Sequence, residues 1–481
     1  MDQIDLSELF NHQPYAKKIL ARLTESGFQS VIVGGAIRDL LRSYLFDDYE
    51  FEPEKTDVDI ATSAGLDQIR SNLPNFNFIE VGAKFGVLIA VAPDGKEYEI
   101  AQFRSESGYD GRRPNRVKLV GSLEKDIERR DFTVNGLAVD REGKIYDFVD
   151  GVEDLKKRVI RAIGDPIARF QEDYLRPLRA IRIACDLDAT IEEETYKAID
   201  HLSEGITSIS WERINLELFK ILETHRSARG MRTSHELGLL EEIFPEMADN
   251  EDIPQPEKYH PEGDVLEHSF VALEVADKLD FPPLVKLATF LHDVGKAEAY
   301  RRNEGDHLGG HELIGEKLAG KIANRLRLSN KESEKLRWIV GTHMKGSILH
   351  KMKQAKQVKL VRYRQKKEFS MNQPRERYDY FTSLLQTIIA DSEASVHGSD
   401  GWLPVLERFT ELLLHFQDLE DLGTARKLIN GNDLKDLGLP EGRKLGTVLE
   451  TLHEMIYAGE ITKRKEALEE AKIIIQQDGP L

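Results

Sequence analysis

The stretch SVIVGGAIRDLLRSYLFDDYEFEPEKTDVDIAT, from Ser30 to Thr62, decides the fold of the first part of the chain. A short β-rich apolar run ends at Gly34 and Gly35, and apolar residues then return at helical spacing, which predicts a strand, a glycine turn and a helix. Glycines let a phosphate approach the backbone, and free N–H groups at the start of a helix favour an anion. Arg38 lies one turn into that helix and adds positive charge. The stretch therefore predicts a cradle for a nucleoside triphosphate.

Two aspartates, Asp57 and Asp59, follow within the same stretch on either side of Val58. Side chains alternate along a strand, so both carboxylates should lie on one face, where they would favour Mg²⁺. A lone glycine pair is usually only a turn, and a lone Asp-x-Asp is usually a solvated loop. Together they favour phosphoryl transfer, because that chemistry needs both a phosphate cradle and a metal. Glu99, on a later predicted strand, is a third candidate carboxylate, although an ordinary outward strand position explains it equally well.

Length and composition narrow the class of protein. A chain of 481 residues predicts about three domains at roughly 150 residues each. The single cysteine, Cys185, excludes an intramolecular disulfide and any multi-cysteine zinc site, which fits a reducing compartment. No apolar run approaches the roughly 18 residues of a membrane span, and the first ten residues carry acids where a signal peptide carries bases. We therefore expect a cytoplasmic protein without a membrane segment.

The charge distribution restricts where nucleic acid could bind. A net charge of −18 argues against nonspecific adhesion over the whole surface. The segment from Lys345 to Lys367 holds nine Lys or Arg residues and no acid, so an RNA-phosphate contact and a solvated helix face are about equally good interpretations. The segment from Arg104 to Arg116 is rich in glycine and arginine without periodicity, which predicts a mobile loop. Its candidate functional residues are Arg104, Asp110, Arg112 and Arg113.

The run DIERRDFTVNGLAVD, residues 126–140, places Arg129, Asp131 and Asn135 close together before a predicted strand. An arginine can hold a phosphate with two parallel hydrogen bonds, and Asp or Asn can bind ribose hydroxyls. These three residues are therefore candidates for nucleotide binding.

From Pro166 the pattern becomes helical, and ARFQEDYLRPLRAIRIACDL predicts one helix with an apolar and a charged face. Its charged stripe consists of Glu172, Asp173, Arg176 and Arg179 at spacings of three and four. Such alternation usually means salt bridges along a helix, and the residues alone favour that interpretation.

The motifs GGAIRD, DVD, GYDGRRP, RRDFTVNG, EDYLRPLRAIRIA and SWERINLELFKIL, in this order, resemble the class II tRNA nucleotidyltransferases. This family comprises the CCA-adding enzymes and their relatives the bacterial poly(A) polymerases, and the resemblance spans about residues 28–225. It implies metal binding by Asp57 and Asp59, triphosphate binding by Gly34, Gly35 and Arg38, and ribose selection by Arg129, Asp131 and Asn135. It also implies that Asp173 and Arg176 bind the edge of an incoming C or A, and Arg179, in the same motif, is a further candidate for nucleotide binding. The chain departs from the family in a longer link between Asp39 and Asp57 and in Gly136, where alanine is usual.

A second candidate site lies further along the chain in helical surroundings. It consists of His268 in HPEGDVLEH, the adjacent pair His292 and Asp293 in TFLHDVGK, His311 in HLGGHELIGEKLA, His343 in GTHM and Asp391 in IIADSEAS. Imidazoles and carboxylates together suit a transition metal better than Mg²⁺. The pattern resembles the HD phosphohydrolase superfamily over about residues 258–400, and some bacterial CCA-adding enzymes contain such a domain. It implies a site for Mn²⁺, Ni²⁺, Co²⁺ or Fe²⁺, with a core set of His268, His292, Asp293 and Asp391, and with His311 and His343 for a second ion.

The resulting fold class is an α+β head with a small mixed sheet, followed by a predominantly all-α neck, HD domain and C-terminal helical tail. The predicted boundaries are a helical arm at 1–27, the head at 28–164, the neck at 165–250, the HD domain at 258–400 and the tail at 401–481. The tail is similar to the C-terminal helical segment of the same CCA-adding enzymes.

The predicted function is template-independent addition of CMP and AMP from CTP and ATP to the 3′ end of tRNA. A second phosphohydrolase activity on RNA ends or cyclic nucleotides is predicted for the HD domain. The alternatives are a poly(A) polymerase, an enzyme that adds only CC or only A, an HD phosphohydrolase with an inactive head, and a noncatalytic RNA-binding protein. The sequence VGAKFGVL at residues 81–88 argues against the polymerase, and the Arg104–Arg116 segment argues against a CC-only enzyme. The sequence does not specify an oligomeric state.

Overall fold

The computed structural model of the protein describes residues 3–80, 86–109, 114–119, 121–362, 378–421 and 423–477. The chain forms two compact units, residues 1–245 and 246–481. In the ranges given, we find no helix whose length and hydropathy would allow it to cross a bilayer.

The first unit is built on a mixed seven-stranded sheet. Its strand order is β3-β4-β5-β2-β1-β8-β9, in which β2 and β5 are parallel and all other neighbours are antiparallel. Two further two-stranded sheets pair β6 with β7 and β10 with β11. The strands are β1 (Ser30–Val33), β2 (Asp59–Thr62), β3 (Asn77–Ile79), β4 (Val87–Val91), β5 (Glu97–Gln102), β6 (Arg104–Tyr109), β7 (Pro114–Leu119), β8 (Leu137–Val139), β9 (Ile145–Asp147), β10 (Val159–Ile160) and β11 (Thr190–Ile191). The predicted mixed sheet of the head is thereby confirmed.

Helices pack around this sheet, and helices also form most of the later part of the first unit. β1 is an interior strand, between β2 and β8, and is buried along its whole length, as its largely apolar sequence requires. The helices of the first unit are α1 (Ser7–His12), α2 (Pro14–Glu25), α3 (Gly35–Leu45), α4 (Leu66–Asn72), α5 (Leu123–Glu128), α6 (Gly151–Lys157), α7 (Pro166–Glu172), α8 (Arg176–Leu187), α9 (Glu193–Leu202), α10 (Trp211–Leu222), α11 (Ser227–Glu236), α12 (Leu239–Ile243) and α13 (Pro245–Ala248), the last crossing the division between the units. From α7 onward the unit is almost entirely helical, which confirms the predicted neck architecture.

The prediction of one continuous helix after Pro166 is wrong. α7 ends at Glu172, Asp173 has an extended backbone, and α8 begins at Arg176. Pro177 explains the break, because a proline is accommodated in the first turn of a helix but not in its interior. Asp173 therefore lies at a junction between two helices rather than on the face of one.

The prediction of an irregular loop from Arg104 to Arg116 is also wrong for the residues that the structure describes. β6 and β7 pair as an antiparallel ribbon, with Arg104 opposite Leu119 and Tyr109 opposite Pro114. Strand pairing between distant residues outweighed the local glycine and proline signals. Asp110, Arg112 and Arg113 lie outside the described residues.

The predicted N-terminal helical arm consists of two helices, because Pro14 occupies the first turn of α2 and separates it from α1. The longer link before Asp57 packs against neighbouring structure. Arg158 lies 4.2 Å from the ring centroid of Phe46 and forms a 2.6 Å ion pair with Asp48, so this link is an ordered part of the unit.

The second unit is helical. Its helices are α14 (Val265–Lys278), α15 (Pro283–Leu291), α16 (Lys296–Arg302), α17 (His311–Arg325), α18 (Asn330–Gly346), α19 (Gln354–Val361), α20 (Asp379–Glu393), α21 (Gly398–Asp421), α22 (Thr424–Leu428), α23 (Gly431–Asp436), α24 (Arg443–Tyr457) and α25 (Arg464–Gln477). α14, α15, α18 and α20 pack on one another around a core that includes Phe290 and Phe381. The boundary predicted at residue 400 falls near the start of α21. Of the basic segment Lys345–Lys367, residues 345–362 lie in and between α18 and α19, and the rest lie outside the described residues.

Candidate active sites

The glycine turn lies directly beside the Asp-x-Asp carboxylates. Gly34 has φ of +77°, which favours glycine, and it leads from β1 into α3. β1 pairs with β2 in a register that places Val33 opposite Asp59. A Cβ atom added to Gly34 would lie 3.6 Å from Arg130 Nη1 and 3.9 Å from Asp59 Oδ2. The turn thus brings a flexible backbone, a guanidinium and a carboxylate together.

The carboxylates follow the strand alternation. Val58 is buried, whereas Asp57 and Asp59 are exposed on the opposite face. β2 and β5 place Glu99 in register with Asp59. Asp59 lines a recess in the surface, and the partial loss of solvent there, reinforced by the charge of Glu99, raises its pKa to about 6 against the opposing charge of Arg130. A bound cation would relieve this accumulation of negative charge, so the residues fit a divalent metal.

A cavity of about 980 Å³ opens beside these groups. Eight of the predicted site residues line it, from four separate stretches of the chain: Gly34, Gly35, Arg38, Asp57, Asp59, Asp131, Asn135 and Arg179. Glu99, Arg104, Arg129, Asp173 and Arg176 are also described by the structure but do not line this cavity. Arg130 does line it. Sequence reasoning favoured the neighbouring Arg129, and only the fold distinguishes the two arginines.

Arg38 is buried beneath the glycine turn rather than extended into the cavity. Its guanidinium donates to Asn135 Oδ1 at 3.0 Å and to Asp39 at 2.8 and 3.1 Å, and it lies 3.4 Å from Asp186. Burial alone would lower its pKa, but Asp39 and Asp186 outweigh burial and raise the pKa of Arg38. It therefore retains a positive charge under the site. Asp186 was not identified from the sequence, because its partner lies 148 residues away.

Asp131 connects the head to the first helices after it. It accepts hydrogen bonds from Arg179 at 2.7 and 3.0 Å and from Asn135 Nδ2 at 3.1 Å. Burial alone would raise the pKa of Asp131, but the Arg179 charge and these hydrogen bonds hold it well below the ordinary value. Arg179 also lies 3.3 Å from Glu217 on α10. These contacts fix the cavity wall formed by Asp131, Asn135 and Arg179.

Arg129 and Arg104 share one buried partner that sequence reasoning missed. Asp126 accepts from Arg129 Nε at 3.0 Å and Nη2 at 2.8 Å, and from the backbone N–H of Arg104 at 3.1 Å. Arg130 Nη2 also reaches Asp126, at 3.4 Å. Asp126 therefore links the start of the β6–β7 ribbon to the arginine pair beside the nucleotide cavity.

The two residues assigned to the base edge lie at the α7–α8 junction. Asp173 Oδ2 forms a 2.7 Å ion pair with Arg213 on α10, a residue that sequence reasoning did not identify. Arg176 Nη1 lies 2.6 Å from Glu172 and 2.7 Å from the backbone oxygen of Arg169. Both side chains also act on the cavity wall electrostatically, since Arg176 lowers the pKa of Asp131 and Asp173 raises that of Arg179. Their role in base selection remains a prediction.

The six predicted HD residues converge in the second unit, where they form two adjoining triads. His268 Nε2 lies 3.0 Å and His292 Nε2 lies 3.5 Å from Asp391 Oδ1. His311 Nε2 lies 3.2 Å and His343 Nε2 lies 3.7 Å from Asp293 Oδ1. The ligand-type atoms of each triad lie within 4.8 Å of one another. The second carboxylate oxygen of Asp293 faces the first triad, at 3.1 Å from His292 Nε2.

Three of these imidazoles are oriented by backbone carbonyls three residues earlier. The Nδ1 atoms of His292, His311 and His343 lie 2.7, 3.0 and 2.7 Å from the carbonyl oxygens of Thr289, Leu308 and Val340. A carbonyl only accepts, so each Nδ1 bears the hydrogen and each Nε2, once unprotonated, directs its lone pair inward. This orientation is typical of metal-binding histidines.

The charges of this cluster fit a cation. The Nε2 atoms of His311 and His343 lie 3.2 Å apart, and His292 Nε2 is buried without a hydrogen bond in the described structure. Burial lowers the pKa of His343 to about 4, so this ring is neutral. Burial alone would also lower the pKa of His292, but Asp293 and Asp391 raise it to about 10. Once His292 Nε2 is deprotonated, the inward lone pairs lie beside the buried Asp293 and the partly exposed Asp391, an arrangement that suits a transition-metal ion.

Comparison with known proteins accounts for most of the chain. The Poly A polymerase head domain family matches residues 30–161, the probable RNA and SrmB-binding site of polymerase A matches residues 188–250, and the HD domain family matches residues 265–368. A CCA-adding enzyme of Lactobacillus delbrueckii subsp. bulgaricus is 38% identical over 286 residues, which are 58% of this chain and 68% of that enzyme. The chain belongs to the CCA-adding enzyme family. A second family member, from Lactococcus lactis subsp. cremoris, is 43% identical over 210 residues, which are 43% of this chain and 50% of that enzyme.

Solved structures of the family share the fold over nearly the whole chain. The Bacillus stearothermophilus CCA-adding enzyme in complex with CTP superposes with a TM-score of 0.64 at 24% identity, covering 98% of this chain and 99% of that chain. The Thermotoga maritima CCA-adding enzyme complexed with tRNA(CCA) gives 0.61 at 19% identity, covering 99% and 100%. At these identities the likeness concerns the fold alone.

Proposed function

We propose that the first unit adds CMP, CMP and AMP to the 3′ end of tRNA, using CTP and ATP without a nucleic-acid template. The observation that best supports the proposal is the juxtaposition of the Gly34 turn, the Asp59 carboxylate and the Arg130 guanidinium at one cavity. Membership in the CCA-adding enzyme family selects tRNA as the acceptor.

Some residues of the cavity bind the phosphates of the nucleotide, and others bind the metal. The turn at Gly34 and Gly35 holds the triphosphate, and Arg130 supports the charge of the departing pyrophosphate. Asp57 and Asp59 would hold Mg²⁺, which supplies Lewis acidity toward the α-phosphate when it is bound. The primer 3′-oxygen forms a bond to the α-phosphorus as the bond to the β-phosphate oxygen breaks. This reaction requires no covalent intermediate with the protein.

The test is incorporation into tRNA transcripts that end before CCA, after C and after CC, with each nucleoside triphosphate supplied separately. We expect C, C and A in turn. Addition of A to every transcript would indicate a poly(A) polymerase, and addition of only CC or only A would indicate a partial enzyme. Asp57→Ala or Asp59→Ala should lower turnover by several powers of ten, whereas the exposed neighbour Glu54→Ala should not. Near-normal turnover in either aspartate variant would contradict the metal assignment.

We propose a second activity for the second unit, the hydrolysis of phosphoesters at RNA ends. His268, His292 and Asp391 would hold one ion and Asp293, His311 and His343 another. A bound transition-metal ion would supply Lewis acidity to a phosphate and its attacking water. The natural substrates are a 2′,3′-cyclic phosphate, in which water breaks one P–O bond, and a 2′-phosphate, because both block nucleotide addition. The proposal is supported by four buried imidazoles whose Nε2 atoms face the buried carboxylate of Asp293 and the partly exposed carboxylate of Asp391.

The two activities should separate by mutation and by metal. The double variant His292→Ala and Asp293→Ala should lose hydrolysis of 2′,3′-cyclic AMP with Mn²⁺ or Ni²⁺ and should retain CMP addition with Mg²⁺. A wild-type protein that hydrolyses none of the phosphoesters supplied, with any of the four transition metals, would contradict the second activity. It would leave the first proposal intact.

A further inference from the structure

One histidine of the second site is oriented differently from the other three. His268 is fully buried, and its Nδ1 lies 2.6 Å from the carboxylate oxygen Oε1 of Glu262 rather than from a backbone carbonyl. Its Nε2 points the other way, 3.0 Å from Asp391. A carboxylate is a stronger acceptor than a carbonyl, because it is charged. Among the four histidines, His268 is therefore the one whose Nδ1 hydrogen is bound by a side chain, and its electron density depends on Glu262.

Glu262 is itself held in place. Its side chain is 10% exposed, and its Oε1 also accepts from His260 Nδ1 at 2.9 Å. The rings of His260 and His268 meet edge to face, with centroids 4.8 Å apart. The other oxygen of Glu262, Oε2, is buried and makes no hydrogen bond within the described residues. A buried carboxylate with an unused oxygen is costly, which indicates that its charge serves another group.

The chain fixes the position of this carboxylate relative to α14. Gly263 has φ of +133°, which favours glycine, and Asp264 caps α14 by accepting from the N–H of Glu267. The other oxygen of Asp264 accepts from the N–H of Asp252 at 2.9 Å. Glu262 therefore stands just before a capped helix, six residues from the histidine that it contacts.

We propose that Glu262, held by His260, positions His268 as a metal ligand and sets the affinity of the first triad for a divalent ion. The proposal rests on the proposed phosphohydrolase function for the presence of the ion. By accepting the Nδ1 hydrogen, the carboxylate fixes the tautomer that directs the Nε2 lone pair toward His292 and Asp391. It also makes that nitrogen a better donor to a cation. Glu262 is a positioning residue and contacts neither the ion nor the substrate.

The test is Mn²⁺ binding to the full-length, metal-free protein by calorimetry, with ion stoichiometry from elemental analysis and Co²⁺ visible absorption as a probe of ligand geometry. Glu262→Ala should weaken Mn²⁺ binding by about 10- to 100-fold. Glu262→Gln should weaken it less, because the amide oxygen still accepts but lacks the charge. His260→Ala should have an intermediate effect. The matched control is Glu257→Gln, an exposed acid in the same segment, which should bind Mn²⁺ like the wild type.

Each outcome decides between distinct explanations. Wild-type affinity in both Glu262 variants would overturn the positioning role alone. Loss of one whole ion in Glu262→Gln, with the remaining ions bound at wild-type affinity, would make His260, Glu262 and His268 a ligand set and overturn the proposal. A wild-type protein that binds no Mn²⁺ or Co²⁺ would overturn both this proposal and the phosphohydrolase. CMP addition with Mg²⁺ should be unchanged in every variant, and Glu262→Gln keeps the test valid if Glu262→Ala does not fold.

Discussion

The surroundings of Asp59 disfavour the charged form of its carboxylate. It is the first residue of β2, it faces Glu99 across a parallel strand pair, and it adjoins the Gly34 turn. These surroundings raise its pKa to about 6, so the residue retains a proton at pH values where an ordinary aspartate is charged. A cation and a proton compete for the same oxygens. The transferase should therefore be sensitive to pH in a range where most acidic side chains no longer titrate.

The pH dependence follows from the sign of that shift. Asp59 loses its proton only as the pH rises through about 6, so the apparent affinity for Mg²⁺ should fall about tenfold per pH unit below 6 and level off above 7. The measurement is a Mg²⁺ titration of CMP incorporation between pH 5 and 8. Glu99→Gln removes a charge that raises the pKa, so it should move the midpoint to lower pH. An unchanged midpoint in that variant would show that Glu99 does not act on Asp59.

Substitutions at the α7–α8 junction test whether its residues select the incoming nucleotide. Asp173→Ala or Arg176→Ala should raise the incorporation of UTP or GTP relative to CTP and ATP more than it weakens tRNA binding. Hydrogen-bonding groups discriminate because a wrong partner leaves them unpaired. The measurement is kcat/KM for each nucleotide together with the Kd for tRNA. Unchanged nucleotide ratios in both variants would reduce the two residues to partners of Arg213 and Glu172, with which they pair in this structure.

Sequence reasoning found residues that belong to motifs and missed those that support them. The six HD residues were predicted together, and the structure brings them into one cluster. Asp126, Asp186, Arg213 and Glu262 were missed. In the sequence these residues look like ordinary surface charges. Three of them bind partners that are distant in the sequence and that only the fold brings close. Glu262 is only six residues from His268, but its loop position gives no periodic signal.

Strand and helix boundaries were predicted best where one local signal acted alone. β1 and α3 follow the glycine turn and the apolar spacing closely. The α7–α8 break and the β6–β7 ribbon were not predicted. In the first case Pro177 interrupts an otherwise continuous helical pattern of apolar residues. In the second case the pairing of two strands decided the structure.

Gly295, the N-cap of α16, lies close against the first residues of α17. A Cβ atom there would overlap the carbonyl oxygen of His311 and would lie 2.6 Å from the amide nitrogen of Gly315. Gly295→Ala should therefore displace the start of α17, which includes His311, and should lower the free energy of unfolding by about 1 to 3 kcal/mol. The measurement is chemical denaturation with and without Mn²⁺.

Gly320, on α17 itself, provides the matched control. A Cβ atom there meets only the flexible side chain of Arg337, at 3.1 Å, and alanine favours a helix interior over glycine by about 1 kcal/mol. Gly320→Ala should be as stable as the wild type or more stable. Equal stability of Gly295→Ala and Gly320→Ala would show that the close approach at Gly295 is not maintained in solution.

The two compact units each have a core, and each holds a different kind of candidate metal site. The first unit offers carboxylates and the second offers imidazoles with carboxylates. The order of head, neck, HD unit and tail was predicted from motifs, and separate family models match residues 30–161, 188–250 and 265–368. Hard oxygen ligands and mixed nitrogen ligands prefer different ions, so the units should respond to different metals.

Thermal unfolding should separate the units. Ni²⁺ at about 100 times its Kd should stabilise the second unit by about 2.7 kcal/mol and raise its Tm by about 5 to 10 °C, because imidazole ligands favour this ion over an all-carboxylate site. Calorimetry of the full chain should show one transition that moves and one that does not. In the His292→Ala, Asp293→Ala double variant neither should move. An equal rise in both transitions of the wild type would contradict separate sites.

Asp293 presents one carboxylate oxygen to each triad, Oδ1 toward His311 and His343 and Oδ2 toward His292. A single negative charge is therefore shared between two places for a cation. Filling one place withdraws electron density from the other, so the two occupancies are thermodynamically coupled. Such coupling is reciprocal: whatever factor the first ion imposes on the affinity of the second, the second imposes on the first. The centre would then fill with a cooperativity, positive or negative, that originates in one side chain.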